Sequence, residues 1–251
     1  RHANLKSLPP DDARWDIRGA AIKFLETPRA DQSRPLHDII LNTGHVFFAA
    51  TAARFLNFLK RYAPATQEEK AVIFRENPDI AQAFYKAIRN PISYVELHYY
   101  SQTAFLYTAL NNTKWFVKYR LRGESSPHDQ GEISIEQLIP GLDHVPRHQD
   151  DRRATNYLRE SFKDEVSSGR ARYILSVQLR PAEPLANNPR SLDPTTHWPE
   201  GTYPWLDVGR LHLTEVLPAT ETESLSYNVA NSHPTLALIP ASTPEDYSSL
   251  G

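Results

Sequence analysis

The stretch Asp16-Ile17-Arg18-Gly19-Ala20-Ala21-Ile22-Lys23-Phe24 decides the fold of this chain. It predicts a β-strand from Asp16 to Leu25, which ends before Thr27-Pro28. A second strand, rich in isoleucine and leucine, is predicted from Leu36 to Leu41 and ends at Asn42-Thr43-Gly44, where asparagine and glycine favour a turn. The first predicted elements are therefore two consecutive strands, as in an antiparallel sheet.

Beyond these strands the apolar residues change to the helical period. Ala52, Phe55, Leu56 and Leu59 follow a spacing of three and four residues, which predicts a helix. The predicted helices cover residues 51–62, 67–75, 78–88 and 151–167. The predicted strands cover residues 93–108, 114–122 and 171–179, another lies within residues 205–216, and a short one covers residues 224–229. Runs of strands with helices between them predict an α+β fold, an antiparallel β-barrel with inserted and flanking α-helices.

Composition argues against several classes of function. The chain holds 28 basic and 30 acidic residues, so its net charge of -2 gives no basis for binding nucleic acid or a membrane surface. Its apolar runs are too short to cross a bilayer. The absence of cysteine excludes disulfides, thiolate catalysis and cysteine-ligated metals in this chain, and it favours a cytoplasmic or other intracellular location.

Six blocks of sequence, in order, resemble the catalase superfamily. They are Arg1–Lys6 with Asp16–Phe24, Asp38–Gly44, Tyr99–Phe105 with Trp115–Arg122, Asn156–Arg159 with Ile174–Leu179, Tyr203–Leu211, and Leu225–Asn231 with Ser242–Gly251. The similarity is greatest to the catalase-related allene oxide synthase branch, in which this domain is fused to a lipoxygenase. The resemblance implies a single catalase-like domain over residues 1–251, with a barrel that encloses haem b.

Asn42 is the candidate catalytic residue that the resemblance implies. It corresponds to an asparagine that lies over the distal face of the haem in this family. Its side-chain amide would orient the peroxide oxygens, since a neutral donor can polarise the O–O bond without taking a proton. The alternative is that Asn42-Thr43-Gly44 is only a turn, in which asparagine favours a left-handed conformation.

Three further residues are implied to contact the cofactor. Phe47 and Phe48 lie where catalases place a phenylalanine against the haem edge, although burial in the core is the simpler explanation. Arg1 corresponds to the arginine that pairs with a haem propionate, which suits the bidentate geometry of a guanidinium. His2 is not assigned the role of the distal acid, because the resemblance places that histidine before Arg1.

The resemblance places the iron ligand, a tyrosine phenolate, beyond Gly251. On this interpretation the segment with the distal histidine and the helix with the tyrosine ligand both lie outside these 251 residues. Tyr247 lies too early in the family pattern to replace the ligand. An oligomer is possible, but the tetramer of catalases is not carried over, because it assembles through long N-terminal arms that have no counterpart in this sequence.

Two hypotheses about function follow from these residues. In the first, the intact protein is a haem enzyme that acts on an organic, fatty-acid-derived hydroperoxide, with a fused or associated lipoxygenase as a possible partner. In the second, haem is absent and the barrel serves as a ligand-binding scaffold or an assembly subunit, since a fold does not fix a function. An apolar ligand would then lie between Phe47, Phe48, Tyr100 and Phe105.

A non-haem metal site is the remaining alternative. A long polar segment, which begins at Glu124, is rich in possible ligands. Up to Asp150 it contains three histidines and three aspartates, namely His128, His144, His148, Asp129, Asp143 and Asp150. Imidazole and carboxylate ligands suit zinc or non-haem iron. The spacing matches no metal-binding motif, so we predict that these residues are solvated. The sequence likewise shows no nucleophile elbow, phosphate-binding loop or dinucleotide fingerprint.

Overall fold

An eight-stranded antiparallel sheet forms the body of the structure, a computed structural model that describes residues 11–26, 35–134, 145–182 and 188–250. Its strands are β2 (Gly19–Leu25), β3 (Pro35–Asn42), β5 (His98–Tyr100), β6 (Phe105–Thr108), β7 (Lys114–Gly123), β8 (Arg172–Pro181), β9 (Leu206–His212) and β10 (Leu236–Ala237). A separate pair consists of β1 (Asp16–Ile17) and β4 (Ile88–Arg89). The predicted α+β class and antiparallel pairing are confirmed.

Strand β7 is the centre of the sheet. One of its edges pairs first with β6 and then with β5, which continues to β3 and β2. Its other edge pairs with β8 from Trp115 to Gly123, and β9 follows β8. Tyr119 and Leu121 of β7 enter the main core, whereas Phe116 joins a smaller cluster on the opposite face. Because side chains alternate between the two faces of a strand, β7 is covered on both sides.

Three consecutive helices pack around an aromatic cluster of their own. They are α1 (Ala52–Tyr62), α2 (Gln67–Glu76) and α3 (Pro78–Ala87), each within one residue of the predicted bounds. The Thr51 side chain caps α1, and Thr66 forms a capping box with Glu69 at the start of α2. Pro78 lies in the first turn of α3, where a missing backbone donor costs little. Local sequence therefore determines these helices.

Arg18 divides the strand that the sequence predicts from Asp16 to Leu25. Its backbone N–H donates to the Thr43 hydroxyl at 3.0 Å, and its guanidinium, which is fully buried, donates to the carbonyls of Asp12 and Arg14. These contacts separate β1, which pairs with β4, from β2, which joins the main sheet.

The single strand predicted for residues 93–108 is wrong in extent. A 3-10 helix covers Tyr94–Glu96, and residues 101–104 separate β5 from β6. Within that break Gln102 has a φ of 39°, a left-handed conformation that is strained for a residue with a side chain. Its amide donates to the carbonyls of Gly44 and Val46, at 3.2 Å each. This distant contact, which the local pattern does not show, offsets the strain.

The short strand predicted for residues 224–229 is also wrong, because a side chain holds this segment to β3. A short helix, α5 (Ala219–Ser224), ends where the strand was expected. The buried carboxylate of Asp38 accepts hydrogen bonds from the backbone of Asn228 at 2.9 Å and from the amide of Asn231 at 3.0 Å. It also pairs with the Lys23 ammonium at 2.8 Å. The segment therefore needs no strand ladder to stay attached.

The helix predicted from residue 151 begins later, as α4 (Tyr157–Ser167). The Asp151 carboxylate accepts from the backbone N–H of Arg153 at 3.0 Å, a local turn that competes with helix formation. The Arg153 guanidinium donates hydrogen bonds to the Asp151 carboxylate at 2.5 Å and to the side-chain oxygen of Asn90 at 2.7 Å. This network connects the start of α4 to the segment after β4.

The Asp151 network should make stability depend on pH. Hydrogen bonds from Arg153 lower the pKa of Asp151 from 3.8 to about 2. A carboxyl group with a lower pKa in the folded state stabilises that state above its unfolded pKa, and the contribution is lost as the pH falls through the folded pKa. We therefore expect the free energy of unfolding to decrease between about pH 4 and pH 2, and to decrease less in the Asp151→Asn variant.

Urea denaturation at each pH measures this difference. Asp150→Asn removes a neighbouring carboxylate that is 75% exposed, so this control should keep the acid dependence of the unchanged protein. An identical acid dependence in the Asp151→Asn variant would contradict the assignment.

Candidate functional site

The β2–β3 hairpin presents a small apolar face with an amide at one end. Gly19 pairs with Asn42 and Ala21 pairs with Ile40, so these four residues share one face of the hairpin. The residues on either side of Ile40 belong to the main core, and Ile40 itself is 40% exposed on the opposite face. An exposed isoleucine between small neighbours offers a smooth surface on which a planar apolar group can lie.

Asn42, the predicted catalytic residue, is the last residue of β3 and is half-buried. Its backbone is paired with Gly19 on one side and with Tyr100 of β5 on the other. The left-handed residue of this segment is Gly44, with a φ of 92°, rather than Asn42. Two neighbouring strands therefore fix the position of Asn42.

The loop that follows Asn42 is held from two sides. A Cβ atom on Gly44 would lie 2.7 Å from the Cβ of Ala87, so only glycine allows this approach to the end of α3. The Thr43 hydroxyl donates to the Ala87 carbonyl at 2.6 Å. The amide of Gln102 holds the other side of the loop. Residues 45–48 are consequently presented in a defined position.

A cavity of about 590 Å³ opens beside this loop, within the volume range of small-molecule sites. We call it the outer cavity. Phe47 and Phe48 line its wall, while Lys86 and Glu132 bring charges to it. The Phe48 ring also packs on Phe84 of the helical cluster, with 5.8 Å between the ring centroids. Both predicted phenylalanines thus face a cavity, and their contact with a cofactor stays a prediction.

Two histidines that are not among the predicted site residues separate the outer cavity from a narrow inner space. The His45 ring stacks on Tyr100 with 3.9 Å between centroids and lies 5.0 Å from the His197 ring. Burial, reinforced by the nearby His197, lowers the pKa of His45 to about 4. Burial also lowers the pKa of His197. Both rings are therefore mainly neutral at pH 7.

The inner space has a volume of about 10 Å³, close to the minimum for one water molecule. Lys118 of β7 lines it and is only 6% exposed. Its ammonium donates to the Thr196 carbonyl at 3.3 Å and lies 4.9 Å from the centre of the Trp198 ring. Burial lowers the pKa of Lys118 to about 8. No local pattern predicts this environment, because Lys118 lies in the ordinary alternation of a strand.

The structure does not bring the remaining candidates together. Phe105 is 3% exposed in the main core, Phe47 and Phe48 line the outer cavity, and Tyr100 lines the inner space. These two cavities therefore do not bring the four aromatic residues around one space, and the ligand site between them stays a prediction. Arg1 and His2 lie outside the described residues.

The described part of the polar segment also shows no cluster of metal ligands. The Asp129 carboxylate accepts from Arg89 at 2.8 Å and from the backbone of His98 at 3.0 Å. His148 lies 3.6 Å from Asp150 in an exposed turn. His144 and Asp143 fall in the undescribed range 135–144. Among residues 11–26, 35–134, 145–182 and 188–250, no group of three or more His, Cys, Asp or Glu side chains could hold a metal ion.

Sequence and structure comparisons identify the family of this chain. The family model described as catalase matches residues 6–240. The chain belongs to the catalase family. Solved catalases share its fold: a bacterial catalase has a TM-score of 0.67 at 18% identity, over 94% of this chain and 44% of that one. Catalase A from Saccharomyces cerevisiae has a TM-score of 0.66 at 18% identity, over 90% and 46%.

Two curated relatives of this catalase-family chain are much longer proteins. It is 30% identical over its whole length to a linolenate 9R-lipoxygenase of Nostoc sp. and 29% identical to an allene oxide synthase-lipoxygenase protein of Plexaura homomalla. The chain spans only 32% and 23% of their lengths. An uncharacterized protein of Sinorhizobium fredii is 28% identical over 84% of this chain and 90% of its own length. No helix in the described part is long and apolar enough to cross a membrane.

Proposed function

We propose that this chain supplies the peroxide-facing part of a catalase-related haem enzyme that converts a fatty-acid hydroperoxide. The observation that carries the proposal is the arrangement of the β2–β3 face. The half-buried Asn42 lies at one end of this face, beside the apolar residues Gly19, Ala21 and Ile40. The similarity to a protein named for allene oxide synthase and lipoxygenase supports an organic peroxide as substrate. A lipoxygenase, fused or associated, would supply that peroxide.

The residues of this face fit a planar, largely apolar cofactor. Gly19, Ala21 and Ile40 carry no charge. The next pair on the same face is Lys23 and Asp38, whose charges cancel in an ion pair with 2.8 Å between Nζ and Oδ1. Haem b, when bound, supplies an iron centre that can cleave the O–O bond. Phe47, Phe48 and Arg1 are our further candidates for contact with the cofactor, the last of them through a propionate.

In this proposal Asn42 orients the peroxide. Its amide N–H donates a hydrogen bond to a peroxide oxygen, and its neutral side chain neither accepts nor releases a proton at pH 7. Because β2 and β5 fix its backbone, the donor needs little reorganisation when charge develops on that oxygen. The apolar surface beside it keeps water away from the reacting group.

Replacing Asn42 by alanine should lower hydroperoxide turnover by about 100-fold, the effect of removing one preorganised donor, and leave haem content unchanged. Stopped-flow turnover and the haem absorbance of the same sample of the intact haem protein measure the two quantities. Asn57→Ala, an exposed asparagine on α1, is the matched control and should keep full activity. Full turnover in the Asn42→Ala protein would remove Asn42 from the reaction.

The proposal is first tested by the haem content of the intact protein that contains this chain, purified with its native termini. A pyridine haemochrome assay should give about one haem per chain, and a fatty-acid hydroperoxide should be consumed faster than hydrogen peroxide. A colourless protein from a haem-sufficient host would overturn the haem enzyme.

The outer cavity favours the second candidate, a haem-free ligand-binding scaffold, because its size suits a small molecule without any cofactor. In that case an apolar fluorescent probe should bind the colourless protein, and Ala83→Trp, which fills the cavity wall, should weaken binding. Equal binding to both proteins would exclude the outer cavity as the ligand site.

A further inference from the structure

We propose that Lys118 is a reactive amine, which forms a Schiff base with small aldehydes or ketones that enter through the outer cavity. Peroxide chemistry and haem take no part in this proposal. Its basis is a buried lysine on a rigid central strand, in an inner space that two neutral histidines separate from the outer cavity.

The surroundings of Lys118 stabilise an ammonium poorly. An ammonium has three N–H donors, yet the carbonyl of Thr196 at 3.3 Å is the acceptor that the structure provides. The ring of Trp198 adds a weaker attraction. Within the described ranges no carboxylate lies at ion-pair distance from Lys118. Burial without a counter-ion favours the neutral amine, which is the nucleophilic form.

Two charged groups near Lys118 have opposite effects on its pKa. Asp193 raises its pKa and Arg180 lowers it, and both effects are smaller than that of burial. With a pKa of about 8, about a tenth of the Lys118 side chains carry a free amine at pH 7. An exposed lysine carries roughly 200-fold less free amine at that pH.

Access to Lys118 runs between His45 and His197, because both histidines line the outer cavity and the inner space. His45 is held by its stack on Tyr100. His197 is exposed on its other side, so its ring can rotate without disturbing the core. That rotation would join the inner space to the outer cavity and admit a small carbonyl compound.

The reaction balances without an oxidant or a reductant. The neutral Lys118 nitrogen attacks the carbonyl carbon, the C=O π electrons move to oxygen, and a proton passes from that nitrogen to the oxygen. The resulting carbinolamine loses water and leaves a C=N bond, so water is the sole by-product. For detection, a hydride reagent reduces this bond to a stable secondary amine.

Trapping with propanal and sodium cyanoborohydride, followed by peptide mass spectrometry, tests the proposal on the unaltered protein. Lys114 is the internal control, because it lies on the same strand and is exposed. We expect Lys118 to be alkylated at least ten-fold faster than Lys114 at pH 7. Its rate should level off above about pH 8, whereas the rate at Lys114 should keep rising towards pH 10.

Two variants sharpen the result. His197→Ala widens the passage and should speed alkylation of Lys118 alone, while Lys118→Arg keeps the charge and should abolish the fast phase. If the rate of alkylation depended only on exposure, Lys118 would react more slowly than Lys114. That result in both the unaltered protein and the His197→Ala variant would overturn the proposal. A fast phase that persists in Lys118→Arg would overturn it as well.

Discussion

Replacing Gly123 by alanine is expected to prevent stable folding. A Cβ atom at this position would lie 1.8 Å from the Val95 carbonyl oxygen and 3.0 Å from the Val95 carbonyl carbon. No rotation of a side chain relieves a clash with backbone, so either the end of β7 or the 3-10 helix before β5 must move. We expect a loss of more than about 4 kcal/mol, in the range of the most damaging single substitutions.

Circular dichroism during heating, together with the yield of soluble protein, measures this loss. The matched control is Gly209→Ala in β9, where the new Cβ atom meets nothing within 4 Å. That variant should stay within about 0.5 kcal/mol of the unaltered protein. If the Gly123→Ala protein melted within a few degrees of the control, the close approach to Val95 would be wrong.

The second large effect is expected from Arg89→Met. Arg89 is 1% exposed, and its guanidinium donates to the Lys86 carbonyl at 2.6 Å and to Asp129 at 2.8 Å. The other oxygen of Asp129 accepts from the backbone of His98 in β5, so this pair connects the end of α3 to the main sheet. Methionine fills the space but leaves a largely buried carboxylate without its cation. We expect a loss of about 3–5 kcal/mol.

Urea denaturation of two further variants separates charge from packing. Arg61→Met breaks an ion pair with Glu76 in which both side chains are more than half exposed, and it should cost less than about 1 kcal/mol. The double variant with Arg89→Met and Asp129→Asn should recover part of the loss, because it buries no unpaired charge. If Arg89→Met cost no more than Arg61→Met, the connection through Asp129 would contribute nothing.

Elements stabilised by local contacts could be predicted from the sequence. The helices α1 to α3 have threonine caps and a proline start, and β7 has an alternating pattern that places its end within one residue of the prediction. Predictions failed where distant side chains decide the structure. The amide of Gln102 and the carboxylate of Asp38 hold segments that are far away in the chain, and no local period reports such contacts.

The candidate site likewise contains residues that could be predicted from the sequence and residues that could not. Asn42, Phe47 and Phe48 came from a resemblance, and the structure places the first on a fixed strand end and the other two on a cavity wall. His197 and Lys118 could not have been chosen, since their environment forms only when β7 meets the segment before β9. His45 is the exception, because its position directly after Asn42-Thr43-Gly44 could have been noted.

The central place of β7 has a consequence for synthesis of the chain. Its partners β5 and β6 precede it, but β8 begins about 50 residues later, which corresponds to several seconds at the usual rate of translation. During that interval the three helices can already fold through neighbouring contacts, while one edge of β7 still presents unpaired backbone beside Phe116 and Tyr119. The nascent chain is therefore most prone to aggregate between the emergence of β7 and that of β8.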